Sequence, residues 1–215
     1  MTSTTRSPIR RAALTAVTAT AALLLTACGG DGESASSSSA SSPSASAAVS
    51  GGEHNAQDVT FAQGMIPHHR QALQMAELAA DRASSARVKD LAARIEKAQD
   101  PEIEKMTGWL KAWGEDVPAE GASADDSMPG MDHGSGGMAG MMDDAQMKTL
   151  EKASGAAFDS AFLTLMVEHH EGAVAMAGTE RDKGRYPAAK DTADDIVTGQ
   201  TAEIAEMKGL LAGKS

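Results

Sequence analysis

The sequence predicts an all-helical protein, a four-helix bundle made of two duplicated antiparallel helical hairpins. Strand signals are missing, because only 3% of the residues are aromatic and β-branched residues do not form runs. Apolar residues instead recur every three or four positions over long stretches, the spacing that turns one face of a helix towards a core. The third observation is a repeat, because a pattern centred on two adjacent histidines occurs twice at a constant offset of 101 residues.

The repeated pattern covers residues 61–76 and 162–177. In both copies the apolar and histidine positions step by 4, 3, 4 and 3 residues, which is the inward line of a bundle helix. These positions are Phe61, Met65, His68, Ala72 and Met75, and their counterparts Phe162, Met166, His169, Ala173 and Met176. His69 and His170 each follow the leading histidine, towards one flank of the helix. Each copy therefore aims at least one imidazole at the core.

A second helical line follows each copy and repeats at the same offset. It contains Ile95, Gln99, Glu102, Met106 and Trp109, and then Ile196, Gln200, Glu203, Met207 and Leu210. The amides and carboxylates of Gln99, Glu102, Gln200 and Glu203 are thus expected beside the histidines, where they can orient the rings. We expect His68 to pair with Glu102 or Gln99, and His169 with Glu203 or Gln200.

Residues 1–27 are predicted to be a lipoprotein signal peptide. A basic start is followed by an apolar run that is too short to span a bilayer well. The run ends in Leu25-Thr26-Ala27-Cys28, which resembles a bacterial lipobox, in which the cysteine becomes lipidated. The alternative is an ordinary secretory signal with a stray cysteine. Cys28 is the only cysteine, so an internal disulfide is excluded.

The signal predicts a bacterial protein outside the cytoplasm, attached to the cell membrane only through its lipid. Residues 28–55 form a tether that is rich in serine and alanine and too polar to fold by itself. The formal net charge of −11 argues against a nucleic-acid partner, because the phosphate backbone would be repelled.

The remaining chain is organised as one helical domain, residues 56–213. Repeat one (58–113) contains a helix over about 58–83 and a second that Ser84 or Ser85 caps and that runs to Trp113. Repeat two (143–213) contains a short helix over about 145–154, a long one stopped by Gly184, and a last one opened by Pro187. The connection within each hairpin is short, which favours antiparallel neighbours.

The linker between the repeats, residues 114–142, has an unusual composition. Five methionines and one histidine lie within 15 residues, namely Met128, Met131, His133, Met138, Met141 and Met142. A solvated loop has no packing reason to hold so many thioethers. Thioethers and imidazoles together favour Cu(I) over hard cations.

These motifs resemble the domain of unknown function 305 family. The resemblance is carried by the Met65-Ile66-Pro67-His68-His69 block, its second version around His169-His170, the repeated Gln-x-x-Glu-Ile-x-x-Met, and Met128-Pro129-Gly130-Met131. It covers about residues 55–211. The resemblance implies a ferritin-like four-helix fold in exported bacterial proteins and, for some members, a link to copper binding or tolerance.

The first functional hypothesis is therefore a metal-binding protein, with copper as the metal. The candidate ligands form a helical set and a linker set: Met65, His68, His69, Met75, Met166, His169, His170 and Met176, and Met128, Met131, His133, Met138, Met141 and Met142. Packing is the alternative for the helical methionines, which are usual core fillers. A hydrogen-bonded core network is the alternative for the histidines.

Two other functions stay open. A ferritin-like metal oxidase would need Glu-x-x-His on two helices, and the sequence has no such motif, so we expect no enzyme of this kind. A surface-tethered helical module that binds a small molecule or a protein without metal is also compatible with the pattern. No nucleophile–base pair or phosphate loop is present to favour other catalysis.

Overall fold

The computed structural model describes residues 52–120 and 138–213. Every regular element in this part of the chain is an α-helix, which confirms the all-α prediction. None of these helices is both long enough and apolar enough to cross a membrane. The predicted signal peptide, Cys28, residues 28–51 of the tether and the middle of the linker (121–137) lie outside the described residues.

Five helices follow one another, and their ends lie within about two residues of the predicted ones. They are α1 (Ala56–Arg82), α2 (Ala86–Trp113), α3 (Asp144–Lys152), α4 (Gly155–Lys183) and α5 (Pro187–Leu211). Asn55 caps α1 in a capping box with Asp58, and Asp143 does the same for α3 with Gln146. Gly114 ends α2 in the left-handed conformation (φ 77°), which glycine adopts without steric cost.

The long helices pack as two pairs, α1 on α2 and α4 on α5, and α1 joins the pairs by packing on α4. The apolar core has two clusters. One includes Leu91 and Phe158, and the other includes Phe61 and Trp109. Along α1, the cluster that includes Phe61 ends at Ile66 and the cluster that includes Leu91 begins at Ala72. The histidine pair therefore lies between the two clusters. A polar layer therefore separates two apolar ones.

Two buried or half-buried aspartates connect the helix pairs reciprocally. Asp58 on α1 accepts hydrogen bonds from the backbone amides of Arg185 and Tyr186, just before α5. Asp159 on α4 accepts them from the amides of Ser84 and Ser85, just before α2. Both sets of residues are related by the 101-residue offset. Each pair of helices thus supplies the acceptor for the two backbone amides that immediately precede the other pair's second helix.

We expect Asp159→Ala to lower the free energy of unfolding by about 1–2 kcal/mol, because the amides of Ser84 and Ser85 lose their acceptor. Chemical denaturation at pH 7 measures this. Asp182→Ala is the control, because Asp182 is exposed and makes only a surface ion pair with Arg181. Equal stability of the two variants would contradict this role of Asp159.

A buried pair of carboxyl groups lies at the same end of α1. Glu180 is fully buried, and neither of its carboxyl oxygens has a hydrogen-bond donor of good geometry. Burial, and then the neighbouring Asp58, raises the pKa of Glu180 to about 8, although Gln57 and Lys190 act in the opposite direction. Glu180 therefore holds a proton at pH 7, beside the ionised Asp58.

The same contacts explain the behaviour of Asp58. Burial acts to raise the pKa of Asp58, but the neighbouring Glu180 and the hydrogen bonds from the backbone amides of Tyr186, Asn55 and Arg185 outweigh it. The pKa of Asp58 is consequently lowered. The pair shares one proton at neutral pH, with the charge on Asp58.

Candidate metal centre

The two leading histidines face each other across the contact between α1 and α4. The ring centroids of His68 and His169 are 3.8 Å apart, and their planes are tilted by 42°. Both side chains are fully buried. The inward orientation that the 4-3-4-3 spacing predicts is therefore observed for both.

The second histidines are also fully buried, and each binds a carboxylate. His69 Nε2 lies 2.8 Å from Glu102 Oε2, and His170 Nε2 lies 2.8 Å from Glu203 Oε2. The expected pairing of His68 with Glu102 or Gln99, and of His169 with Glu203 or Gln200, is thus wrong. Adjacent residues of a helix point about 100° apart. The second histidine of each pair therefore faces the neighbouring helix of its own hairpin, while the first faces the opposite histidine.

The ring nitrogens of this cluster are mostly without partners in the described protein. His68 Nε2 faces the carbonyl oxygen of Ala139 at 3.3 Å, but His68 Nδ1 and both nitrogens of His169 have no hydrogen-bond partner. The Nδ1 atoms of His69 and His170 are also unpartnered. Buried polar atoms are nearly always paired. These unpaired ring nitrogens make the histidine layer a candidate binding site for a ligand.

Burial keeps the leading imidazoles neutral. It lowers the pKa of His68 to about 3, with help from the neighbouring His69. It also lowers the pKa of His169 well below its ordinary value, and His68 and His170 add to the effect. A neutral ring keeps its lone pair, so a metal ion would not have to displace a proton from it.

The glutamates give the second histidines a defined tautomer. A carboxylate accepts a hydrogen bond, so Nε2 of His69 and of His170 carries the proton and donates it. In the neutral form of each ring, Nδ1 then carries a free lone pair. An imidazole that is held by a carboxylate on one nitrogen and free on the other is the usual arrangement of a metal-binding histidine.

Two thioethers lie close to this layer, one helical turn before His68. We call residues Met138–Met142 the strap. Met138 Sδ lies 3.5 Å, and Met176 Sδ 3.9 Å, from the point where a side chain on Gly64 would begin. The two sulfur atoms converge there because residue 64 has no side chain.

The other predicted ligands have varied positions. Met65, Met75 and Met166 are fully buried within the apolar clusters, where packing alone accounts for them. Met142 is buried and Met141 half-buried in the strap. Met128, Met131 and His133 lie outside the described residues. In the described part of the chain, no group of three or more His, Cys, Asp or Glu residues is arranged to hold a metal ion.

Sequence reasoning missed the residues that receive the strap. Gln71 Nε2 donates to the Met142 carbonyl, and Gln71 Oε1 accepts from the Met142 amide, both at 2.8 Å. On α4 a side chain at Gly172 would begin 1.9 Å from the carbonyl oxygen of Ala139. A signal was available, because the two repeats differ at these positions. Gly64 corresponds to Leu165, and Gln71 corresponds to Gly172.

The chain belongs to the family described as Domain of unknown function (DUF305), whose profile matches residues 58–211. A search of curated proteins gave no match. Among solved structures, a DUF305 protein of Streptomyces coelicolor, predicted to be secreted, is 35% identical, with a TM-score of 0.63. That alignment covers 74% of this chain and 93% of the other.

The fold is also shared with CopM, a protein solved in several metal-bound forms. The Cu(II)-bound form is 34% identical with a TM-score of 0.61, over 74% of this chain and 97% of CopM. The Cu(I)-bound form is 30% identical with a TM-score of 0.58, over 73% of this chain and 96% of CopM.

Proposed function

We propose that this protein binds soft metal ions, Cu(I) foremost, outside the cytoplasm and serves metal homeostasis or tolerance. His68 and His169 would hold the ion, with the thioethers of Met138 and Met176. The observation that carries the proposal is the pair of facing, buried, neutral imidazoles whose nitrogens lack partners beside two converging sulfur atoms.

The donor set fits a soft monovalent ion. Thioether sulfur and neutral imidazole nitrogen are soft to borderline ligands, whereas Mg²⁺ and Ca²⁺ need several oxygen atoms. The layer offers few oxygen ligands, because Glu102 and Glu203 are already bound to His69 and His170. Those glutamates would instead orient the rings and raise the basicity of their free nitrogens.

Similarity to CopM supports the choice of metal. CopM has been solved with Cu(I), Cu(II) and silver, and Ag⁺ has the same charge as Cu(I) and a similar preference for soft ligands. We extend the ability to bind copper from CopM to this chain as part of the proposal. The linker residues Met128, Met131 and His133 would add further soft ligands.

Location and architecture complete the proposal. The lipobox at Cys28 would attach the protein to the outer face of the cell membrane, and the tether would let the helical domain stand away from it. The four long helices would form a ferritin-like bundle, and the two hairpins would each bring one leading histidine to its middle. The role is binding, since no helix carries the Glu-x-x-His of the di-iron oxidases.

Competition for Cu(I) against a coloured chelator, under anaerobic conditions, tests the proposal. The full chain should carry Cys28→Ser, so that its only thiol cannot bind the ion. We expect one tightly bound Cu(I) in this protein, and a loss of affinity on the order of 100-fold in His68→Ala. Met176→Leu should weaken binding at least tenfold, because leucine matches the shape of methionine but has no sulfur.

Met147→Leu is the matched control, since Met147 is a half-buried methionine of α3 packed against the apolar core. It should bind Cu(I) as the parent does. A protein that fails to compete for both Cu(I) and Ag⁺ would disprove the proposal. Unchanged binding in His68→Ala, combined with loss in a variant lacking Met128, Met131 and His133, would move the site to the linker.

A further inference from the structure

We infer that Gln71 is a positioning residue that fastens the strap, Met138–Met142, against the helices and thereby holds Met138 at the histidine layer. The inference rests on the proposed function, because it concerns the affinity of the same site. Gln71 itself offers no ligand, since both atoms of its amide are bound to Met142.

The strap is received by three features of the two long helices. Gly64 on α1 leaves room for the sulfur of Met138. Gly172 on α4 leaves room for the backbone of Ala139, since even one carbon atom there would overlap the Ala139 carbonyl oxygen. The amide of Gln71 forms two hydrogen bonds with one peptide unit, which fixes both the position and the direction of the strap.

These features occur only on the side of the molecule that the strap covers. The position equivalent to Gly64 carries Leu165 in the other repeat. Gln71 and Gly172 occupy equivalent positions, so each repeat has only one of these two residues there. The histidines and their glutamates, in contrast, are the same in both repeats. The repeats therefore agree in the residues of the histidine layer and differ where the strap lies on them.

A fastened strap would raise affinity without adding a ligand. If the strap were loose, Met138 would have to be ordered each time an ion bound, and that ordering costs conformational entropy. Two hydrogen bonds between Gln71 and Met142, and the contact between Ala139 and His68, order the strap when the chain folds. The entropic cost is then met before an ion binds. Releasing the strap should therefore weaken binding about as much as removing the sulfur of Met138.

The experiment uses the full chain carrying Cys28→Ser and two measurements. Hydrogen exchange of the metal-free protein reports whether the Met142 amide is protected. Titration with Ag⁺, which does not undergo redox chemistry under these conditions, reports affinity. Gln71→Leu removes the two hydrogen bonds. Gly172→Ala places a methyl group where the Ala139 carbonyl oxygen lies. Alanine is also the better residue inside a helix, so Gly172→Ala should keep α4 intact.

The control is Gln63→Leu. Gln63 lies on the same helix and also bonds a backbone carbonyl, but that carbonyl is Asp116 at the other end of the linker. We expect rapid exchange of Met142 and at least a tenfold loss of Ag⁺ affinity in Gln71→Leu and in Gly172→Ala. The double variant Gln71→Leu with Met138→Leu should bind no more weakly than Met138→Leu alone. Gln63→Leu should match the parent in both measurements.

Two results would overturn the inference. One is rapid exchange of Met142 in the parent protein. The other is unchanged Ag⁺ affinity in Gln71→Leu and Gly172→Ala although the strap has been released. A parent protein that protects Met142 but binds no Ag⁺ would overturn the proposed function instead, and with it the ligand role of Met138.

Discussion

Replacing His169 with leucine should make the metal-free protein more stable while removing most of its affinity for Cu(I). Both ring nitrogens of His169 are buried without a partner, and leaving such a group unsatisfied costs about 1–3 kcal/mol. Leucine has a similar volume and no polar atom, so the free energy of unfolding should rise by about that amount. Loss of the ligand should lower Cu(I) affinity on the order of 100-fold.

The adjacent histidine provides the contrast. His170 is equally buried on the same helix, but its ring donates to Glu203, which is only 19% exposed. His170→Leu should therefore lower the free energy of unfolding, because it strands a largely buried carboxylate. Denaturant titration of the two metal-free variants measures both signs. If both substitutions destabilise the protein equally, the unpaired nitrogens of His169 do not lower its stability. The histidine layer is then a structural network.

Replacing Glu180 with glutamine should remove a loss of stability that the parent protein shows in mildly alkaline solution. The folded protein holds a proton on Glu180 up to a pKa of about 8, whereas an unfolded glutamate releases it near its ordinary pKa of 4.5. Its stabilising contribution is therefore complete below about pH 4.5 and declines as the pH rises to about 8. Glutamine has nearly the same shape as the protonated acid and does not titrate.

The range from pH 7 to 9 isolates this group. The buried His68 and His169 act with the opposite sign, because their lowered pKa makes stability rise with pH, but that effect ends near the ordinary histidine pKa of 6.5. We expect the parent to lose about 1 kcal/mol of unfolding free energy between pH 7 and 9, and Glu180→Gln to lose almost none.

Glu171→Gln is the matched control for this measurement. Glu171 lies on the same helix but is 52% exposed, and it pairs with Lys208 at the surface. Its substitution should leave the pH dependence of the parent unchanged. A parent protein whose stability is flat between pH 7 and 9 would show that Glu180 is already ionised in the fold.

The periodicity of the sequence was sufficient to predict the helices and the burial of the leading histidines. Phe61, Met65, His68 and Met75 repeat with the helical period, and period is a local property that the chain states directly. Pro187 marked the start of α5 correctly, whereas Ser85 precedes α2 without a side-chain capping hydrogen bond and Gly184 follows α4 in an extended conformation. The partner of each glutamate was predicted wrongly, because neighbouring positions on a helix differ in direction and both His68 and His69 lay near the inward line.

The strap could not be predicted, since it depends on contacts between residues that are 71 positions apart. Composition marked the methionines of the linker as unusual, but it could not show which of them returns to the helices. The role of Glu180 was missed because its counterpart in the first repeat is Ala79, so the repeat gave no warning of a carboxyl group there. Differences between the repeats proved as informative as their agreement.

The exchange of carboxylates between the helix pairs has a consequence for how the chain can assemble. A single hairpin would carry the exposed amides that precede its second helix, but the aspartate that satisfies them belongs to the opposite hairpin. Neither hairpin can satisfy these amides by itself, because each depends on an aspartate of the other. We therefore expect the two hairpins to assemble as two linked halves of one folding unit, since a covalent link raises the effective concentration of each half for the other.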